Sequence, residues 1–226
     1  MIFGKLIKRY KRFLADIILD DGHIITAHCP NSGRMTGCAT AGWKVALSIS
    51  KNPKRKLKYT LEYIYNGQTW ICINAAYANT VALIGIKSGV IKELSGYESY
   101  IKEVKYGNSR LDILAQTNNN KCYIEVKSCT MVTDKGLFSF PDAPTERGRK
   151  HIAELLQIVK EGHRGVMLFI IQREDGCGFV PAWDIDFKYS QNLIDAKNQG
   201  VEILCYRCSV APNDVVVIKS EKFFEN

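Results

Sequence analysis

The sequence predicts a mixed α/β protein of two modules, an all-β module over residues 1–75 and an α/β domain over residues 76–226. Three observations predict this division. Short apolar runs separated by turn signals fill the first 75 residues. Continuous apolar strands then alternate with helical patterns. The excess of basic residues lies entirely in the first module, which holds 12 Lys and Arg against 4 Asp and Glu, whereas the remainder holds 19 of each.

The first module contains five runs of strand length. Turn-forming residues separate them, and Asn66-Gly67 is a strong hairpin signal because both residues tolerate positive φ. Five short strands match a small OB-type β-barrel, although the count alone fits an SH3-like barrel as well. The predicted strands are Lys11–Leu19, His23–Cys29, Trp43–Ser50, Tyr59–Tyr65 and Thr69–Ile73.

The second module alternates helices with buried strands. A helix is predicted over Ala75–Leu94, with possible interruptions at Gly85 and Gly89. The continuous apolar run Gly165–Gln172 is typical of a strand that is buried on both faces. The other predicted elements are strands Arg110–Gln116, Cys122–Ser128 and Val201–Tyr206, and helices Thr145–Lys160 and Asp186–Gln199.

The basic residues of the first module cluster into dense blocks, Lys8–Arg12 and Lys54–Lys58. A segregated cationic surface is typical of proteins that bind a polyanion, and we expect DNA as the partner. The alternative is a solvated basic face that only improves solubility. No apolar run approaches the roughly 18 residues that a membrane-spanning helix needs, and no secretory signal is apparent, so a cytoplasmic protein without a membrane partner is expected.

Eight cysteines are expected to stay reduced in that compartment. Cys72 and Cys122 lie in strand-like apolar runs, where cysteine behaves as a small buried hydrophobe. The pair Cys205 and Cys208 has the spacing of metal ligands, but no second pair accompanies it, so zinc is not expected.

The residues that best fit a catalytic role lie on the predicted hairpin of strands 110–116 and 122–128. A turn centred on Asn118 and Asn119 would place Asp112 opposite Glu125, and Lys127 shares the face of Glu125. Leu111, Ile113, Ile124 and Val126 would then all face the core. Two carboxylates beside an ammonium group suit Mg²⁺, held by Asp112 and Glu125, and the cleavage of a phosphodiester. The alternative is a surface ion pair of little energetic value.

This arrangement resembles the D…ExK core of restriction-endonuclease-like (PD-(D/E)xK) domains. Leu111 stands where that motif has proline, and the Pro141-Asp142 pair falls after the motif. Thr145, preceded by Pro144, is typical of a helix start. On the first turns of that helix, Arg147, Lys150 and His151 could reach a phosphate or the metal site, or could be surface residues.

Two segments of the first module are candidates for DNA contact. Asn31-Ser32-Gly33 can form a turn whose backbone N–H groups bind an anion, with His28 and Arg34 on either side. The alternative is a structural loop that closes the barrel. A second segment carries Lys54, Arg55 and Lys56 beside Tyr59, Tyr63 and Tyr65, a combination that suits backbone tracking with base stacking. These tyrosines could equally pack in the barrel core.

The chain resembles the sugar fermentation stimulation protein A family along nearly its whole length. The resemblance implies an N-terminal OB-fold, a restriction-endonuclease-like second domain, DNA binding with little sequence preference and a regulatory role in sugar (maltose) metabolism. Together with the motif it implies that the chain is a candidate Mg²⁺- or Mn²⁺-dependent deoxyribonuclease, while a sugar-binding role rests on the family's name alone. The matching runs are Arg12–Asp16, Ala27–Cys38, Asn52–Lys56, Glu103–Gly107, Ser109–Asp112, Tyr123–Ser128 and Phe140–Gly148.

Overall fold

A computed structural model describes residues 1–107 and 109–226 of the chain, and Asn108 lies outside the described residues. Within them it contains fifteen strands and three α-helices in two main sheets and one small sheet. The strands are β1 (Ile2–Tyr10), β2 (Leu14–Leu19), β3 (Ile24–His28), β4 (Lys44–Ile49), β5 (Tyr59–Tyr65), β6 (Trp70–Cys72), β7 (Ser99–Tyr106), β8 (Ser109–Gln116), β9 (Lys121–Cys129), β10 (Met131–Val132), β11 (Phe138–Phe140), β12 (Arg164–Ile171), β13 (Phe179–Pro181), β14 (Glu202–Ala211) and β15 (Asp214–Ser220). The helices are α1 (Tyr77–Lys87), α2 (Glu146–Lys160) and α3 (Phe187–Asn198).

The first six strands form an OB-type barrel, as predicted. They follow the order β3-β2-β1-β4-β5-β6, and a bridge between His28 of β3 and Thr60 of β5 closes a ring of five strands. The composition of the five-stranded ring differs from the prediction. The prediction lacks β1 and counts β6 as the fifth strand, whereas β6 lies outside the closed ring. Lys5, Lys8 and Arg9 interrupt the apolar pattern of β1 and conceal a strand whose Gly4 and Leu6 are buried.

The second domain is built on a six-stranded sheet of order β15-β14-β12-β9-β8-β7. Strands β9, β12 and β14 run parallel to one another at its centre, and the outer strands are antiparallel. Helix α1 packs on one face of the sheet, whereas α2 and α3 pack on the other. The predicted helix over residues 75–94 is shorter than expected, since α1 ends at Lys87 and Gly89 has a positive φ of 77°.

The β8–β9 hairpin has the predicted register, in which Ile113 pairs with Ile124. Ile113, Ile124 and Val126 pack beneath α1. Leu111 joins the cluster on the opposite face, so the prediction that it shares their face is wrong. The ladder between β8 and β9 ends at Ile113, and Glu103 on the neighbouring β7 has a φ of 56°. The regular alternation of faces is therefore interrupted at Asp112.

The barrel and the second domain share apolar contacts. Ala46, Tyr63 and Cys72 of the barrel belong to the same buried cluster as α1. Backbone hydrogen bonding continues across the junction, where the N–H of Cys72 donates to the carbonyl of Gln172 at 3.1 Å. Tyr63 is thus a core residue, as the alternative interpretation of the tyrosines held. The division at residue 75 stays a prediction.

A search of the described residues for a helix that could span a bilayer finds none.

Candidate nucleic-acid and metal site

A cavity of about 990 Å³ lies between the barrel and the second domain. Arg9, Arg12 and residues 31–34 line it on the barrel side. The second domain contributes Asp112, the segment 125–128 and the segment 139–145, together with Arg147 of α2. The cavity therefore brings together the predicted catalytic residues and part of the predicted DNA contacts, which come from segments far apart in the sequence.

Asp112 lies where β8 separates from β9. Its Oδ2 accepts the backbone N–H of Val126 at 2.8 Å, and its Oδ1 accepts the side-chain amide of Asn79 at 2.7 Å. Burial, reinforced by the nearby charge of Glu125, raises the pKa of Asp112 to about 6. The carboxylate takes the place of a ladder hydrogen bond just beyond Ile113, where the β8–β9 ladder ends. Nothing in the local sequence marks Asn79, which lies on α1, as its partner.

Glu125 is 3% exposed and has two partners on one oxygen. Its Oε1 accepts from Lys127 Nζ at 2.6 Å and from Nδ1 of His151. Burial opposes ionisation, but His151 and Lys127 outweigh it and hold the pKa of Glu125 below its usual value. The second oxygen, Oε2, is buried and has no hydrogen-bond partner among the described residues.

The ring of His151 is oriented by both of its nitrogens. Arg147 Nε donates to Nε2 at 3.5 Å, while Nδ1 contacts Oε1 of Glu125 and lies 3.1 Å from Lys127 Nζ. Arg147 itself is exposed and lines the cavity. Arg147 and His151 thus lie at the site, whereas Lys150 is outside the cavity lining, and contact of any of the three with a phosphate or a metal stays a prediction. Thr145 caps α2 as predicted, because its hydroxyl accepts the N–H of Gly148 at 2.9 Å.

A carboxylate of the second domain, that of Asp142, already contacts the loop that follows β3. Asn31 Oδ1 accepts the N–H of Gly33 at 2.9 Å, and its Nδ2 donates to the carbonyl of Ile73. The carboxylate of Asp142 packs against Gly33 and accepts the N–H of Met35 at 2.8 Å. The structural role predicted as the alternative therefore applies to Asn31.

Arginine side chains support this loop. Arg9 donates to the carbonyls of Asn31 and Gly33, each at 2.8 Å, and to that of Arg34 at 3.2 Å. Arg34 has an exposed side chain that lines the cavity. Within the basic block 8–12, Arg9 therefore hydrogen-bonds to the carbonyls of the loop, whereas Arg12 has an exposed side chain that lines the cavity.

The remaining predicted DNA contacts lie outside the cavity lining. His28 ends β3, and its ring lies 6.4 Å from that of Phe13. Lys54, Arg55 and Lys56 are exposed on the loop between β4 and β5, and none of them lines the cavity in the part of the chain that the structure describes. Whether they contact DNA stays a prediction.

The acidic pair offers oxygen ligands to a divalent cation. Among residues 1–107 and 109–226 no group of three His, Cys, Asp or Glu side chains has the spacing of a metal site. The unpartnered Oε2 of Glu125 beside the carboxylate of Asp112 nevertheless fits a hard cation, because a buried carboxylate oxygen without a donor is costly. Any further ligands would come from water or from a bound phosphate.

The cysteines are all free thiols. Cys205 and Cys208 lie on β14, but they pack in different apolar clusters on the two faces of the sheet. Burial raises the pKa of Cys208 to about 12, which leaves a neutral, inert thiol.

Comparison with protein-family models finds two matches. Residues 7–73 match the SfsA N-terminal OB domain, and residues 76–214 match the sugar fermentation stimulation protein RE domain. A curated relative from Geobacter sulfurreducens, described as a sugar fermentation stimulation protein homolog, is 48% identical over 94% of this chain and 91% of its own length. A homolog with the same description from Shewanella loihica is also 48% identical, over 96% of this chain and 94% of its own.

A solved structure shares the whole fold. The structure of Pyrococcus furiosus SfsA in complex with Ca²⁺ covers 99% of this chain and 95% of its own, with a TM-score of 0.89 and 22% sequence identity. At that identity the likeness concerns the arrangement of both domains and not individual site residues.

Proposed function

The chain belongs to the sugar fermentation stimulation protein family, and from that premise we propose that it binds DNA with little sequence preference in the cavity between its two domains. One observation carries the proposal. Exposed arginines from both domains, Arg12, Arg34 and Arg147, line the same cavity as the acidic pair. Cations there would contact phosphates irrespective of sequence. A regulatory role in sugar metabolism, including that of maltose, would be exercised through the DNA that the chain binds.

A second function, divalent-cation-dependent cleavage of DNA, is favoured by the arrangement around Glu125. His151 and Lys127 hold Oε1 of Glu125, so that Oε2 stays available to a cation shared with Asp112. Mg²⁺ or Mn²⁺ bound there would supply Lewis-acid stabilisation of the charge that develops on the scissile phosphate. The Pyrococcus furiosus protein was solved in complex with Ca²⁺, a cation that also prefers oxygen ligands.

The chain's own residues have defined parts in this proposal. Lys127 would donate a hydrogen bond to the attacking water or to a phosphate oxygen, since its ammonium group is already held beside the carboxylate. His151, oriented by Arg147, keeps Glu125 ionised and in place. Arg12 and Arg34 would hold the strand on the barrel side of the cavity.

The test is incubation of the purified full-length protein with single-stranded, duplex, nicked and plasmid DNA, with Mg²⁺, Mn²⁺ or EDTA, beside Glu125→Ala. Binding to every form, weakened by salt, is expected for the first function. Cleavage with either metal, absent in EDTA and in the variant, is expected for the second. Binding without cleavage under every condition would remove the nuclease proposal and leave the binding function intact.

A further inference from the structure

The hairpin tip between β1 and β2 has an unusual backbone. Tyr10 pairs with Leu14, so Lys11, Arg12 and Phe13 form the loop. Lys11 and Arg12 both have positive φ, 48° and 61°, where glycine or asparagine is normally found. Two consecutive residues in this region are disfavoured, and such conformations cluster at functional sites. The hairpin tip is therefore a candidate functional segment.

The side chains of this tip combine a cation that lines the cavity with an aromatic ring next to it in the sequence. Arg12 lines the cavity, and Phe13 follows it with 46% of its surface exposed. The ring of Phe13 is nearly parallel to that of His28, with an angle of 18° between their planes. The backbone fixes the pair, because the N–H of Cys29 donates to the carbonyl of Phe13 at 2.8 Å. An exposed ring, parallel to that of His28, thus follows directly after an arginine of the cavity lining.

We propose that Phe13, backed by His28, is a stacking site for an unpaired nucleobase, and that Arg12 contacts the adjacent phosphate. A base within a duplex already stacks on both neighbours, so a free base face is offered by a single strand or an unpaired end. The inference rests on the proposed DNA binding and adds its substrate class, which is DNA with a single-stranded portion. The cavity then takes the backbone of that strand toward Asp112 and Glu125.

The test compares binding of single-stranded and duplex DNA of one sequence, measured by fluorescence anisotropy in EDTA with the full-length protein. Phe13→Ala is expected to weaken binding of the single strand by about 5- to 150-fold, the effect of losing one stacked base, and to leave duplex binding within about twofold. Ile24→Ala is the matched control, since Ile24 is an apolar barrel residue that is 69% exposed. It is expected to change neither affinity.

Two further variants distinguish stacking of a base on the ring from simple burial against an apolar side chain. Phe13→Tyr keeps the ring and is expected to bind the single strand as the wild type does, whereas Phe13→Leu is expected to behave like Phe13→Ala. Equal weakening of both DNA forms by Phe13→Ala, or full binding by Phe13→Leu, would overturn the stacking site while DNA binding stands. A wild-type protein that binds no form of DNA would overturn the proposed function and this inference together.

Discussion

The backbone N–H of Met35 donates to the carboxylate of Asp142 at 2.8 Å, although the two residues are separated by 107 positions in the sequence. This contact ties the loop after β3 to the segment that leads into α2. The same carboxylate lies where a Cβ on Gly33 would be. The loop and the segment therefore form one wall of the cavity. The energetic coupling between Gly33 and Asp142 measures how closely the two pack.

Gly33→Ala is expected to destabilise the protein by about 1–3 kcal/mol, because the added methyl group would collide with Asp142. Asp142→Ala removes a charged acceptor from the N–H of Met35 and should cost about 1.5–3 kcal/mol. In the double variant the collision is gone, so its cost should be clearly smaller than the sum of the two. Urea unfolding of the four proteins measures the coupling, and strictly additive costs would contradict the contact.

Asp112→Asn is expected to stabilise the metal-free protein at pH 7 by up to about 3 kcal/mol. The pKa of Asp112 is raised from 3.8 to about 6 in the folded chain, so the unfolded state loses this proton first as pH rises. Stability therefore falls between pH 4 and pH 6 and stays lower above it, and the variant escapes that cost. The amide of Asn79 can rotate to complement the new side chain.

Urea midpoints at pH 4 and pH 7 in EDTA check this, with the exposed Asp184→Asn as control. The advantage of Asp112→Asn should shrink as the pH is lowered to 4. An advantage that is equal at both pH values would show that Asp112 ionises normally in the folded protein.

Charge reversal of Arg55 and Lys56 should weaken binding to all DNA sequences alike. Each lost phosphate contact should flatten the slope of log K against log[salt] by about 0.9 for duplex DNA. Both side chains lie outside the cavity lining, so cleavage of saturating DNA should be unchanged. Lys87→Glu with Lys188→Glu makes the same charge change on exposed helical residues of the second domain and is the control. An equal loss in that control would mean that only net charge matters.

Glu125→Ala and Lys127→Ala should abolish cleavage and leave DNA affinity nearly unchanged. In the proposed function, affinity would come from the arginines and lysines, whereas these two residues would act beside the scissile phosphate. Loss of the carboxylate should slightly strengthen metal-free binding, because one repulsion with phosphate disappears. Lys121→Ala, an exposed lysine at the start of the same strand, is the control. Full cleavage by Glu125→Ala would refute the assigned site.

Local patterns predicted the β8–β9 hairpin well. Strand alternation and the Asn-rich turn were sufficient for the register of Ile113 with Ile124, and Thr145 was identified as the start of α2. Edge strands were harder to predict. β7 interleaves exposed charged residues with apolar ones, because only one face of it packs on the core, and this weakens the apolar signal that marks a strand. β15 was not predicted although its residues 215–218 are continuously apolar.

Long-range partners were beyond local patterns. Leu111 faces away from its predicted side because the side chain of Asp112 accepts the N–H of Val126, which would otherwise pair in the ladder. This contact depends on the neighbouring strand and not on the sequence around Leu111. The anion site predicted at Asn31–Gly33 is adjoined by Asp142, which the fold brings from the other domain. No spacing within either segment contains that information.

The apolar cluster that Tyr63 and Cys72 share with α1 is expected to couple the unfolding of the barrel to that of the second domain. Removing the barrel would leave α1 with an uncovered hydrophobic face, and removing the second domain would do the same to β5 and β6. Denaturant should accordingly melt both parts in one transition, as monitored by either barrel or helix signals. With such coupling, a destabilising change on the far side of the barrel would lower the occupancy of the intact Asp112–Glu125 arrangement as well, because the two parts would unfold together.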